Sequence, residues 1–165
     1  MSSETFTTAM FLIAAIISAG VLINAVFPVV YTLSGTISSS SHKVDERLST
    51  DVKIVTTYAS GGGNNARIWL KNVGAGRIAD ASIQKADVFL GSQGDFIRLT
   101  RSETLADGTW TYEILEETPN NYWDSGETLY IEAMTTKIPA KEGIVYFQFV
   151  LPTGLYRSTT FTASD

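Results

Sequence analysis

Two hydrophobic patterns follow one another along the chain. From Ala9 to Val30, 22 residues are interrupted only by Ser18, Gly20, Asn24 and Pro28, and no charged side chain occurs from Thr5 to Ser41. As an α-helix, such a stretch is roughly 33 Å long, enough for a hydrocarbon core of about 30 Å, and its backbone polar groups are satisfied internally as lipid requires. Beyond it, Ile37, Ser41, Val44 and Leu48 keep a 4-3-4 spacing that holds one face together. The pattern therefore predicts a helix from about Thr5 to about Leu48, roughly 66 Å long. The Ser38–Ser41 run is a weak helix former that would loosen this part.

From Asp51 the period changes to two. In DVKIVTTYA, Val52, Ile54, Thr56 and Tyr58 fall on one face; in ARIWLKN, Ile68 and Leu70 oppose Arg67, Trp69 and Lys71. Further strands are expected at 86–91, 96–100, 109–115, 128–133, 143–151 and 155–163, separated by SQGD, ADG, PNN, DSG, KEG and PTG turns. In the most apolar of these, Val145, Phe147, Phe149 and Leu151 point one way, and Ile144, Tyr146 and Val150 the other. About eight short strands at this spacing predict an antiparallel, Ig-like β-sandwich. The fold class is thus α+β, with a hydrophobic helix over residues 1–50 and a β-sandwich domain over 51–165.

The helix admits three uses: a cleaved secretion signal, a membrane span over residues 9–30, or a packing helix that meets copies of itself. A signal wants a basic start and only 7–15 apolar residues. The start here is MSSET, without Lys or Arg, and the apolar run is longer. Span and assembly helix are compatible with each other. Ala14 with Ser18, and Ala15 with Ala19, are small residues four apart, and Gly20 adds another, so a second helix could approach closely. Pro28 has no N–H to return to the carbonyl of Asn24, whose amide is itself the only one in the stretch. Asn24 and Pro28 together mark a local bend or a helix–helix contact.

Composition narrows the function. The net charge is −5, and residues 51–165 carry 14 acidic against 10 basic side chains. That balance argues against phosphate-backbone binding, which needs a basic face, so no nucleic-acid partner is expected. The chain has no cysteine, which removes disulfides, thiolate nucleophiles and Cys-based zinc sites. The one histidine, His42, stands in a serine-rich segment with no triad around it. There is no GxGxxG, P-loop or HExxH run. No catalytic constellation can be assembled, so neither an enzyme nor a cofactor is expected.

Two segments carry other chemistry. EETPNNYWDSGE at 116–127 clusters oxygen donors, among which Asn120, Asp124 and Glu127 are calcium candidates, although the spacing is not that of an EF-hand loop. The plainer reading is an acidic β–β loop anchored by Trp123. Tyr58, Trp69, Trp110, Tyr112 and Tyr130 could form a carbohydrate-binding face, but strands are built from such residues in any case.

Several stretches resemble a known family: SSETFTTAMFLIAAIISAGVL at 2–22, HKVDERLSTDVKI at 42–54, ARIWLKNVGAGRI at 66–78, DVFL at 87–90 and YFQFVLPTG at 146–154. The chain resembles the FlaG/FlaF family of archaeal flagellum (archaellum) proteins, on the FlaG side, with the architecture of type IV pilin-like proteins. The resemblance implies a structural role in archaeal motility, as a stator or filament component that assembles with itself, with a FlaF-like partner and near a surface-layer protein. It also places the β domain outside the cytoplasmic membrane. Lys43 and Arg47 after the span would by the positive-inside bias put that domain in the cytoplasm, but Asp45 and Glu46 offset them. Pilins and archaellins begin with a basic leader ending in Lys/Arg-Gly. MSSET lacks one, so either the helix is retained uncleaved, which Met1 favours, or the numbering starts from an already trimmed product; the nearest rival reading is the main filament subunit. A membrane-anchored module holding a surface polymer, sugar or calcium is the alternative of a different class.

Overall fold

The computed structural model describes residues 2–116 and 118–164; the side chains of Ser2 and of residues 37–48 lie outside that description. The proposed face of Ile37, Ser41, Val44 and Leu48, and the side chain of His42, therefore fall outside the described residues. The chain divides into two compact units, Met1–Asp45 and Glu46–Asp165.

Helix α1 runs from Ser2 to Ser49. Its acidic Glu4 lies in the first turn, where negative charge suits the helix dipole. Pro28 sits inside the helix without ending it. Threonines in this apolar stretch return their hydroxyls to the helix itself. Thr7 donates to the Ser3 carbonyl at 2.9 Å, and Thr8, Thr32 and Thr36 to Glu4, Pro28 and Thr32 at 2.8 Å. Their polar atoms are thereby satisfied without water.

After the end of α1, the described residues of the second unit form strands joined by turns, with one short helix. Its elements are β1 (Val52–Ser60), β2 (Asn65–Asn72), β3 (Ile78–Ala79), α2 (Asp80–Ile83), β4 (Asp87–Ser92), β5 (Asp95–Arg101), β6 (Thr109–Leu115), β7 (Tyr122–Trp123), β8 (Thr128–Met134), β9 (Ile144–Val150) and β10 (Tyr156–Thr162). Eight strands are ordered β1-β2-β8-β6-β5-β4-β9-β10, and β3 pairs with β7 in a second, two-stranded sheet. All pairs are antiparallel except β5–β6, which run parallel over Thr100–Thr109 and Arg101–Trp110. This short parallel contact joins a β1-β2-β8-β6 layer to a β5-β4-β9-β10 layer.

Both layers contribute to one core. Ile68, Leu70, Trp110, Leu129 and Ile131 come from the first, and Val88, Leu90, Leu99, Val145, Phe147 and Phe149 from the second. The alternation predicted for β2 and β9 appears as a strict buried/open pattern. At the far edge β10 reaches β1: Arg157 donates from Nε to the Val52 carbonyl at 2.7 Å and pairs with Asp51.

In β1 the predicted face is corrected. Register slips between Ile54 and Thr56, so one extra residue stands at Val55, which is exposed. Such a bulge reverses which side chains face inward from that point. Val52 and Ala59 are therefore buried, and Thr56 and Tyr58 leave the core face.

On the outer side of the second layer, Gly91 is flanked by Phe96 on β5 and Tyr146 on β9. A Cβ at Gly91 would lie 2.6 Å from the Asp95 carbonyl oxygen and the Phe96 Cα. The Phe96 and Tyr146 rings approach to 4.7 Å between centroids.

Candidate functional site

The largest feature without a partner is the surface of α1. Every described side chain from residue 3 to 36 is exposed, apart from half-buried Gly20. Phe11, Leu12, Ile13 and Val21, which point in four different directions around the helix, are all among the exposed large apolar groups. A helix apolar on all sides belongs in lipid or inside a bundle. The segment Ser3–Thr36 is long and apolar enough to cross a membrane. Ala14, Ala15, Ser18, Ala19, Gly20, Asn24 and Pro28 all lie in it. A Cβ added at Gly20 would meet nothing within 4 Å, so the chain's own fold does not require glycine there.

The second feature lies within the second unit, at the residues that precede β1. The turn after β2 folds onto Ser49–Asp51: the Val73 and Gly74 N–H groups donate to the Asp51 carbonyl at 2.9 Å, and the Gly76 N–H donates to the Ser49 carbonyl at 2.9 Å. Gly74 must be glycine, because a Cβ would stand 2.3 Å from the Ser49 carbonyl oxygen. Asn72 holds this turn from inside. It is fully buried. Its Nδ2 donates to the Gly76 carbonyl at 2.9 Å and to the Trp123 carbonyl at 3.0 Å, and its Oδ1 accepts from the Gly74 N–H at 3.1 Å. One side chain thus ties together β2, the glycine turn that follows it, and β7.

The described residues of the loop, 116 and 118–127, are organised from within. Trp123 is fully buried, and its Nε1 donates to the Glu127 carbonyl at 3.0 Å. Of the calcium candidates, Asn120 donates to Asp124 Oδ2 at 2.6 Å, and Glu127 Oε2 accepts from the Asp124 N–H at 2.7 Å. Arg77 Nε lies 3.7 Å from Asp124 Oδ1, and its guanidinium stands 4.9 Å over the Tyr122 ring. The three candidates are neighbours, but they spend these oxygens on the turn. Among the described residues no group of three or more His, Asp or Glu is arranged to hold a metal ion.

The aromatic set divides. Trp69 and Tyr130 pack together on the outer side of the first layer, 5.2 Å between centroids, beside the Arg67–Glu132 pair at 3.1 Å. Trp110 is fully buried, and Tyr112 packs against the core. No single aromatic face unites all five residues.

Tyr112 ties the sheet to α2. Its hydroxyl donates to Asp80 Oδ1 at 2.6 Å, and Gln84 donates to the other oxygen at 2.6 Å. Burial first, then the hydrogen bond and charge of Asp80, push the phenol from 10.0 up to about 12. Because the folded value lies above the unfolded one, this contribution to stability is complete below pH 10.0 and lost as pH rises toward about 12. Denaturation midpoints are expected to fall across that window and to fall less steeply in Tyr112→Phe; parallel curves would contradict the assignment.

Comparison with known proteins agrees with this division of labour. The sequence pattern described as archaeal-type flagellin matches residues 6–161, across the apolar helix and nearly all of the β domain. The chain belongs to the archaeal-type flagellin family. Within the family's reach, it is 27% identical over 133 residues to an uncharacterized protein of Archaeoglobus fulgidus, covering 79% of this chain and 80% of that one. The archaeal flagellum of Methanospirillum hungatei matches over 97% of this chain and 93% of its own, with a TM-score of 0.69 at 16% identity. The archaellum periplasmic stator protein FlaG of Sulfolobus acidocaldarius matches over 68% of this chain and 99% of its own, with a TM-score of 0.55 at 20% identity; a chain of the FlaF and FlaG stator complex of the same organism gives the same score. At these identities the structural matches speak for the fold alone. As a member of the archaeal-type flagellin family, the chain is an archaellum-related structural protein and not an enzyme.

Proposed function

We propose that this chain is an assembly subunit of an archaellum-type filament, which packs α1 against sister helices and carries the β domain on the outside. The observation that carries the reading is the bare surface of α1: apolar groups are exposed all round it from Phe6 to Leu33, while the β domain closes its core with its own residues. Small-residue-studded apolar helices are stable both in lipid and in a helical bundle. The same helix therefore serves as a membrane anchor through residues 9–30 before assembly, with the β domain outside the cytoplasmic membrane. The likeness to the M. hungatei flagellum, which extends over helix and β domain together, supports this reading.

A second reading has its own support. The FlaG likeness covers nearly all of that stator protein, and FlaG is also solved with FlaF. In a stator, this chain would pair with a FlaF-like partner and stand near the surface-layer protein, anchored by α1.

Electron microscopy of the full chain during detergent removal, beside a fragment of residues 51–165, separates the two. Filaments from the full chain and none from the fragment are the expected result. Discrete particles that never elongate, but capture a FlaF-like protein of the same cell, would replace the filament reading with the stator one.

A further inference from the structure

The β domain carries a cavity at one end and a rigidly held acid at the other, and β9 runs between them. Beyond the last residue of β9, Val150, lies a cavity of about 160 Å³ walled by Ile78, Ser82, Leu151 and Thr153, with the exposed side chains of Arg77 and Tyr122 at its rim. Ile78 and Leu151 give it a buried apolar floor. The Thr153 hydroxyl is shut off from solvent and bonded to no protein group, a costly state unless an occupant of the cavity supplies an acceptor. The Arg77 guanidinium lies 4.9 Å over the Tyr122 ring, and it meets an acid only through Nε, 3.7 Å from Asp124 Oδ1. Room for a short stem, a hydroxyl inside and a guanidinium at the mouth together suit a carboxylate on one or two methylenes.

Glu142 stands at the opposite end, two residues before β9 begins at Ile144, and the seven residues of β9 keep it roughly 23 Å from the cavity. It is exposed and holds a φ of 67°, a left-handed conformation that a bulky residue keeps only where its surroundings enforce it. The turn does so. The Glu142 N–H donates to the Ala163 carbonyl at 3.0 Å, the Gly143 N–H to the Ala140 carbonyl at 2.9 Å, and the Ala163 N–H to the Gly143 carbonyl at 2.9 Å. The neighbouring charges match as well, since exposed Lys141 stands beside Glu142 and Asp124 stands beside Arg77.

We infer that Glu142 of one copy enters the Arg77 cavity of the next, its carboxylate between the Arg77 guanidinium and the Thr153 hydroxyl and its stem against Ile78 and Leu151. This rests on the self-assembly proposed above and adds to it a contact between β domains. The two surfaces are different and lie at opposite ends of one domain, so the contact is head-to-tail. Each copy gives Glu142 at one end and receives it at the other, and addition continues without closing on a pair, as a filament requires.

The chain has no cysteine, so paired substitutions can report the contact by disulfide formation. The experiment uses the full chain with Ser82→Cys in the cavity wall and Ala140→Cys in the Glu142 turn, oxidised after detergent removal. Positions at opposite ends of the domain cannot bridge within one chain, because a disulfide needs Cα atoms within about 7 Å. Every disulfide therefore joins two copies. A ladder of dimer, trimer and longer species is expected, and none from Ser82→Cys with Glu113→Cys, whose second thiol sits on the exposed side of β6. In the first background, Arg77→Glu and Glu142→Arg alone should each cut the ladder about tenfold, and the two together should restore it. Chains that assemble without a ladder, or with an equal one from the Glu113 control, overturn this contact and leave self-assembly in place. A ladder that neither charge reversal weakens overturns the pairing of Glu142 with Arg77. A full chain that stays monomeric, with no disulfide in either background, overturns the self-assembly and the contact with it.

Discussion

Asn72→Ala is expected to lower the unfolding free energy of the β domain by about 3 kcal/mol. The side chain is fully buried and makes three hydrogen bonds to backbone groups, two carbonyls and one N–H. Alanine removes all three and admits no water to replace them, and orphaned buried polar groups cost on the order of 1–3 kcal/mol each when the surroundings cannot relax. Part of the loss is recovered by relaxation of the glycine turn, which is why the sum is set near the lower end. Thermal unfolding should show the change as a fall of roughly 10 °C in Tm. Asn72→Asp keeps the acceptor for the Gly74 N–H but loses both donors, so it should be no milder. A midpoint for Asn72→Ala within a degree or two of the parent would mean the turn is held by its own backbone bonds to Ser49 and Asp51, and that Asn72 is incidental.

The importance of Asn72 was only half legible. KNVG could be recognised as a resembling stretch, yet nothing in the alternation of β2 says that an asparagine at its end must be buried and bonded three ways. Its partners come from Gly76 in the following turn and from Trp123, far along the chain, and such convergence is a property of the folded state. β3, α2 and β7 were not foreseen for a related reason. Elements of two to four residues carry no measurable period, and these exist because Trp123 and Ile83 are pulled into a core built by others. The strands with full alternation, β2 and β9, were legible residue by residue, because burial on one side imposes the period directly. β1 was legible only as far as Ile54, where the bulge inserts a residue that an alternation count cannot detect. TWTYEIL shows that Trp110 and Tyr112 share a side, but whether that side faces core or solvent depends on neighbours in the sheet. In α1 the helix and its extent followed from the apolar run and the 4-3-4 spacing beyond it. The polar pair at Asn24 and Pro28 was visible too, while the stacking of Phe27 on Tyr31 needed the built helix.

Ile17→Arg is expected to abolish both membrane integration and assembly while leaving the melting of the β domain where it was. Ile17 lies near the middle of the apolar segment and is exposed, so arginine fits there sterically without cost to the isolated chain. The cost arises only when the helix leaves water. A central arginine opposes insertion into a bilayer by about 3 kcal/mol on insertion scales. In a bundle of sister helices the penalty recurs at every subunit, with like charges brought together and no acid side chain between Thr5 and Ser41 to pair with them. The β domain has no stake in the change, because its core is composed of residues from β1 onward and contains none from the apolar segment. Two readouts therefore move independently: sedimentation with vesicles or into filaments is lost, and the thermal transition of the β domain is retained. Ile17→Leu, which changes shape but not polarity, should behave as the parent in both. If the arginine variant still sediments like the parent, the apolar surface of α1 is not what holds subunits together, and assembly must be sought on the outer faces of the sheets, where Trp69 with Tyr130 and Phe96 with Tyr146 offer the next largest apolar groups.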